Sequence, residues 1–430
     1  MIYNETNYNA HWATRKLASL GEFSRGKSKH RPRNDKKLFE GGGYPLIQTS
    51  EVRNANLYIN EHTTEYNSFG LAQSKLWNKG TLCITIAANI AETGILSYPM
   101  CFPDSVVGFN AFENETSELF MHYVFTYIKR SIQKSVVGSI QDNINLDYLQ
   151  NLDFKIPEKE YQDKIVRVLS AFDKKIEINS NSMNVLEEMA KQLYTHWFVQ
   201  FDFPDEAGLP YDAAGNHMEW CAELNRKIPA SWTLEPITNC CEIIDCLHSK
   251  KPEYEFESEN YYLLQLENLV DLGLVDISDK YYVSEKDYKK WTAKIEVSEG
   301  DIVVTNAGRV GGIYRVSKGV AGGIGRNITS IRPKTIPPIY LYYFFMGEDM
   351  KAQIQSNTDN GAFFDSLNVR GIKELKLLMP PKGSRLVDEY VAICKPMRER
   401  IESLAEENRQ LINQRDWLLM MLMNGQITVE

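Results

Sequence analysis

Apolar positions recur with strict 4-3 spacing in two long stretches of the chain. The first runs through Ile165, Leu169, Phe172, Ile176, Asn179, Met183, Leu186, Ala190, Leu193 and Trp197. The second runs through Tyr390, Cys394, Met397, Ile401, Leu404, Asn408, Leu411, Arg415, Leu418 and Leu422. A 3.5-residue period held this long predicts two helices paired along a coiled-coil seam, not ordinary surface helices. Each stretch opens just after proline, Pro157 in one and Pro380-Pro381 in the other. Proline ends what precedes it and is tolerated at a helix start. Each seam carries one Asn, which is costly in a core without a partner. If the helices run antiparallel with Ile165 opposite Leu422, Asn179 falls in the layer of Asn408. A paired Asn would then set register and direction.

Between the helical stretches the pattern changes to short Val/Ile/Thr/Tyr runs broken by Gly, Asn and Pro, which reads as strands and turns. These segments repeat. YPLIQTSEV (44–52) matches YYLLQLENL (261–269), KGTLCIT (79–85) matches EGDIVVT (299–305), and NLDYLQNLDFKIP (145–157) matches NVRGIKELKLLMP (368–380). GTLCITIAANI and GDIVVTNAGRV look like strand–turn pieces. The offset between copies rises from 217 to 220 to 223, as small loop insertions would produce. The chain therefore reads as two copies of one unit. The expected fold is α+β: two β-rich α/β modules separated by two long helices in an antiparallel coiled coil, with a pseudo-twofold internal repeat. The expected boundaries are 1–156 for the first module, 157–201 for the first helix and 202–227 for a linker. Residues 228–381 form the second module, 382–424 the second helix and 425–430 a tail. A helix of about 40 residues spans roughly 60 Å, so the helices would act as a ruler between two modules suited to two half-sites on a duplex.

Composition narrows the class. The 430 residues are 43% hydrophobic, which fits a globular chain of two or three domains. MIYNETNYNAHW lacks the basic and apolar regions of a signal peptide, and no apolar run approaches the roughly 18–20 residues of a membrane span. Seven cysteines in no regular spacing suggest a reducing, cytoplasmic setting. Cys240, Cys241 and Cys246 cluster, but without the paired knuckles of a zinc site they read as buried thiols.

Catalytic signatures do not appear. There is no phosphate-binding loop, and in GGIGRN (322–327) Ile328 stands where a dinucleotide fingerprint needs its third glycine. HExxH, GxSxG and zinc-deaminase patterns are missing, and IPPIY (336–340) lacks the polar residue of an adenine-methyltransferase tetrapeptide. His122 and His196 read as structural residues. Glu187-Glu188 reads as a solvated helix face. The Met-rich WLLMMLMNG (417–425) reads as packing or an interface. The chain is therefore expected to be no enzyme.

One segment stands against the overall charge of −9 and pI near 5.5. From Arg25 to Lys37 seven Lys/Arg face one Asp. Gly, Ser, His, Pro and Asn among them make it a shaped loop between two strands. Such a loop suits phosphate contacts and, for Arg, guanine edges. The candidate DNA-binding residues here are Arg25, Lys27, Ser28, Lys29, Arg31, Arg33, Gln48 and Thr49. The second copy has no equally basic segment: CLHSKKPEYEFESEN (246–260) offers Lys250 among several Glu. Its other candidates are Asn306 and Arg309 in TNAGRVGG and Arg326-Asn327 in GGIGRN. The two modules should then read different sequences.

With these features the chain resembles the DNA-specificity subunit of type I restriction–modification enzymes. The likeness rests on the module–helix–module–helix order and on GEFSRGKSKHRPRND…YPLIQTSEV (21–52). LYTHWFVQFDFPDEAGLPY (193–211), RKIPASWTLEPI (226–237) and NVRGIKELKLLMPP (368–381) complete it. The resemblance implies that each module is a target recognition domain reading one half of an asymmetric bipartite site. It implies that the helices dock two methyltransferase (modification) subunits, which bring S-adenosylmethionine and flip the target adenine. Restriction/translocase subunits using ATP and Mg would join them, and no cofactor would sit in this chain. The alternatives are a stand-alone DNA-binding regulator or architectural protein, a protein-only scaffold, and an enzyme with an unrecognised site. Partner docking predicts apolar positions outside the seam, and Val166, Val168, Ile178 and Val185 are the candidates.

Overall fold

The computed structural model describes the chain except residues 1–3, 88–89, 138–145 and 362–364. Ala88 and Asn89 of GTLCITIAANI, Asn145 of NLDYLQNLDFKIP and the first three residues of MIYNETNYNAHW thus lie outside the described residues. The two long helices are Lys159–Tyr194, continued by a π-helical turn Thr195–Val199, and Leu386–Met423. The chain divides into two compact units. One holds Met1–Glu177 with Gln410–Glu430, and the other holds Ile178–Arg409. Each unit thus contains a β-rich module and a stretch of both helices.

In the first unit a five-stranded sheet runs in the order Gly21–Arg25, Val106–Ala111, Leu82–Thr85, Thr93–Leu96, Tyr58–Ile59. A four-stranded sheet orders Thr64–Tyr66, Tyr44–Leu46, Met100–Cys101 and Leu76–Trp77. The strand Ala13–Lys16 pairs antiparallel with Asp153–Ile156. The second unit repeats this plan. Cys241–Asp245, Ile328–Pro333, Ile302–Thr305 and Ile313–Arg315 form its main sheet in the corresponding order, and Thr233–Pro236 pairs with Lys376–Met379. The internal repeat and the α+β class expected from the sequence are thus what the structure contains.

The central strands are buried along their whole length: Leu82–Thr85 in the first unit and Ile302–Thr305 in the second. Such strands read as continuous apolar runs because both faces are covered. A helix lies on the sheet of each unit, Glu118–Val137 in the first and Pro338–Met346 in the second. Phe120, Tyr123, Val124 and Phe125 of the first join Ile165, Leu169, Leu419, Leu422 and Met423 of the long helices in one core. WLLMMLMNG therefore divides its roles: Leu419, Leu422 and Met423 are core, while Trp417 and Met420 are exposed.

The helix pairing is antiparallel within each unit. In the second, Asn179 donates from Nδ2 to Asn408 Oδ1 at 2.9 Å, and the Tyr390 hydroxyl donates to the Ala190 carbonyl at 3.1 Å. The Asn layer expected from the heptads is present. The seam is not the whole story, however, because each module packs on a second face of the helices. Tyr194, Glu187 and Arg398, all outside the 4-3 register, are buried.

Glu187 corrects the sequence reading. It is 1% exposed, not a solvated face. Its carboxylate accepts from the hydroxyls of Tyr342 at 3.1 Å and Tyr343 at 3.0 Å, and Arg398 lies 3.4 Å away. Arg398 is 0% exposed and also donates to the carbonyls of Leu272 at 2.6 Å and Gly273 at 2.8 Å. Both of those residues have positive φ, 57° and 61°. Burial opposes the charge on Arg398, but the Tyr342 and Glu187 beside it outweigh that and hold its pKa above the ordinary value. The first unit has a matching network. Tyr123 donates to Asp173 at 2.5 Å, and Arg415 meets the same carboxylate at 2.6 Å. In both units the acid comes from the first long helix and the guanidinium from the second.

A second correction concerns the outer helix positions. Val166 and Val168 pack against the first unit's core, whereas Ile178 and Val185 are exposed as expected. Among the described residues no helix is long and apolar enough to cross a membrane.

Candidate nucleic-acid interface

The basic loop leaves the strand Gly21–Arg25 and returns at Tyr44–Leu46. Its base is pinned by Gly26 N–H to the Val106 carbonyl at 2.9 Å and Lys27 N–H to the Phe102 carbonyl at 3.1 Å. Only glycine fits at 26, since a Cβ there would sit 2.2 Å from the Phe102 oxygen. Further along, His30 Nε2 pairs with Asp35 at 2.8 Å, and Asp35 accepts from Lys37 N–H at 3.1 Å. The His30 bond, then the Lys37 amide, holds the Asp35 carboxyl below the usual carboxylate range. These ties make the loop a fixed platform, not a flexible charge run.

The platform sorts the cations. Arg33 is held by Asp104 through 2.8 and 3.1 Å bonds, and Arg31 turns back onto the Ser28 carbonyl at 2.6 Å. Ser28 itself is buried. Arg25, Lys27, Lys29, Lys36 and Lys37 are exposed and have no ion pair among the described residues. Gln48 is exposed and Thr49 half-buried at the start of the helix Thr49–Asn54, where Gln48 N–H donates to Glu51 at 2.9 Å. Lys75 adds to the cationic surface. Burial first, and then the charge of Lys27, lower its pKa, and its ammonium lies 3.5 Å over the Trp77 ring.

The helix Ser68–Ala72 is pressed along this loop. Asn67 Nδ2 donates to the Lys37 and Glu40 carbonyls at 2.9 Å, His30 N–H donates to Gln73 at 3.0 Å, and Ser74 donates to the Lys27 carbonyl at 2.9 Å. A Cβ at Gly70 would meet the Leu38 oxygen at 2.6 Å. Sequence reading passed over this helix because SFGLAQS carries no charge and no motif.

The corresponding loop of the second unit has another character. Lys250 is exposed and Lys251 sits 3.7 Å over the Tyr281 ring, but Glu253, Glu255, Glu257 and Glu259 follow. Phe256 at 90% exposure stands on Tyr254, with ring centroids 4.9 Å apart. Of the other candidates, Asn306 is spent inside the fold. Its amide donates to the Leu367 carbonyl at 2.6 Å and accepts from Thr329 at 3.0 Å, and its N–H donates to the Asn327 carbonyl at 2.8 Å. Arg309 donates to the Leu266 carbonyl. Arg326 and Asn327 are exposed, Asn327 with φ of 65°. At the loop's base Asp245, Cys246 and His248 bring three ligand-type atoms within 4.8 Å. Neither Cys240 nor Cys241 belongs to that group, and burial pushes the Cys246 thiol up.

Residues 9–188 match the family described as the type I restriction modification DNA specificity domain. Over 427 residues the chain is 22% identical to the type I restriction enzyme MjaIX specificity subunit of Methanocaldococcus jannaschii, covering 97% of this chain and 94% of that protein. The chain is thus similar to type I specificity subunits, with the specificity domain matched over residues 9–188. The HindI specificity subunit of Haemophilus influenzae is also 22% identical, over 73% of this chain and 75% of its own length. The crystal structure of the S subunit of a type I restriction–modification system from M. genitalium shares the fold, with a TM-score of 0.56 at 15% identity over 98% of this chain and 99% of that one. Buried His122 bonds Thr93 at 3.0 Å, and burial depresses its pKa to about 4.

Proposed function

We propose that the chain reads an asymmetric bipartite DNA site, one half-site per module, and docks methyltransferase subunits that modify adenines in it. Through them, restriction subunits would cut unmodified DNA. One observation carries this reading. Two modules of the same strand order present opposite charge at the same loop: Lys27, Lys29, Arg31, Arg33, Lys36 and Lys37 in one, four glutamates against two lysines in the other. One scaffold with divergent loops has two specificities. Docking is supported by apolar side chains on the outer helix faces, Trp417 and Met420 in the first unit and Ile178, Val185 and Met189 in the second. S-adenosylmethionine, ATP and Mg belong to those partners in this reading, and no cofactor belongs to this chain.

The test is single-molecule methylation sequencing of a methylation-free host that expresses this chain with its neighbouring methyltransferase subunit. N6-methyladenine at one split, asymmetric motif, lost when this chain is omitted, is the expected result. A folded, co-purifying pair that leaves the genome unmethylated would refute the reading in favour of a stand-alone DNA binder or a scaffold.

A further inference from the structure

We infer that Phe69 makes the apolar base contact of the first half-site, flanked by the free cations of the basic loop that hold the phosphates. This rests on the reading above and assigns it a residue.

Phe69 is 53% exposed, on a helix otherwise packed onto the loop. Its ring meets the His30 ring edge-on, with centroids 5.6 Å apart. The bonds that fix this helix place it alongside the cations at both ends. Asn67 is tied to the carbonyl of Lys37, and Ser74 to that of Lys27. Phe69 therefore lies on the stretch of helix between the attachment points at Lys27 and Lys37. A solvated aromatic ring is unfavourable in the free protein. A ring held rigidly on a cationic surface loses little entropy when it is covered. Sequence-reading proteins use this combination. Phosphate contacts from Lys and Arg fix position but carry no sequence information. Apolar side chains meet thymine methyls or wedge at a base step, and so discriminate. The free lysines here have no fork with which to read guanine bidentately, Arg31 and Arg33 are committed to Ser28 and Asp104, and the free guanidinium of Arg25 sits at the end of the strand Gly21–Arg25 where the loop begins. Phe69 is the exposed large apolar side chain of this helix, and so the one with the area to distinguish one base from another by apolar contact.

The test uses the full chain with its methyltransferase subunits and two duplexes, one carrying the methylated motif and one scrambled. Phe69→Ala should lower affinity for the motif by about tenfold, the scale of one lost base contact. It should leave affinity for the scrambled duplex, the salt dependence and the melting temperature unchanged. Phe69→Leu should recover part of the loss. Lys29→Ala, as a phosphate-contact comparator, should weaken binding to both duplexes and flatten the log–log salt slope by about 0.9. Equal loss on both duplexes for Phe69→Ala, or no loss on either, would overturn the inference while leaving the bipartite reading intact. Failure of the wild-type complex to discriminate the duplexes would overturn both.

Discussion

Replacing Arg398 by Met tests how the second module is fixed to its helices. The guanidinium is fully buried and serves Glu187, Glu402, the Tyr342 hydroxyl and the carbonyls of Leu272 and Gly273. Met fills similar volume but donates nothing. Glu187 then keeps the hydroxyls of Tyr342 and Tyr343 and the ammonium of Lys191 at 3.5 Å, which is half exposed. Breaking a buried ion pair from one side costs about 3–5 kcal/mol, because the remaining charge stays desolvated. The Gly273 carbonyl loses its Arg398 donor in a left-handed turn and adds to this, while the Leu272 carbonyl keeps the Tyr342 hydroxyl at 3.1 Å. Arg398→Met should therefore destabilise the second unit by about 4 kcal/mol. Adding Glu187→Leu removes the stranded charge and should recover most of that loss. Amide hydrogen exchange on peptides from 262–346 and 386–409 measures it locally, so the first unit serves as an internal control. A single mutant within about 1 kcal/mol of wild type, or a double mutant no better than the single, would refute the claim that charge burial drives the effect.

Two further outcomes follow from other buried groups. Asn179→Leu removes the donor to Asn408 Oδ1, while Asn408 Nδ2 keeps the Ser180 hydroxyl at 3.1 Å, and should cost about 1–3 kcal/mol, with Asn179→Leu/Asn408→Leu recovering most of it; denaturant unfolding of the three proteins decides this. His122 is depressed by burial, partly offset by Asp173 and reinforced by Arg415, so the folded first unit binds its proton only near pH 4 while the unfolded chain binds it near 6.5. Its stability contribution is full above pH 6.5 and is lost as pH falls toward 4. His122→Gln should flatten the pH dependence of melting in that window, and an unchanged slope would show that other groups govern it.

The 4-3 heptads, the Asn layer and the internal repeat were legible in the sequence, because each depends on spacing alone. Asn179 meets Asn408 since antiparallel helices of fixed rise leave no other layer for it. The existence of the basic loop was legible too, as a local excess of charge. What the sequence left undecided depends on contacts between distant segments. Glu187 looks like any solvated helix glutamate until two tyrosines and an arginine, more than 150 positions along the chain, converge on it. Lys29 and Arg33 are equivalent cations in a string of letters, and only the approach of Asp104 engages one of them. Asn306 looked like a reader of bases and is a tie within the sheet. Phe69 acquires its meaning from the loop folded against it. Periodicity determines which elements form and how they pair, whereas the availability of a charge or a ring to a partner is decided by what else the tertiary fold brings within hydrogen-bonding distance.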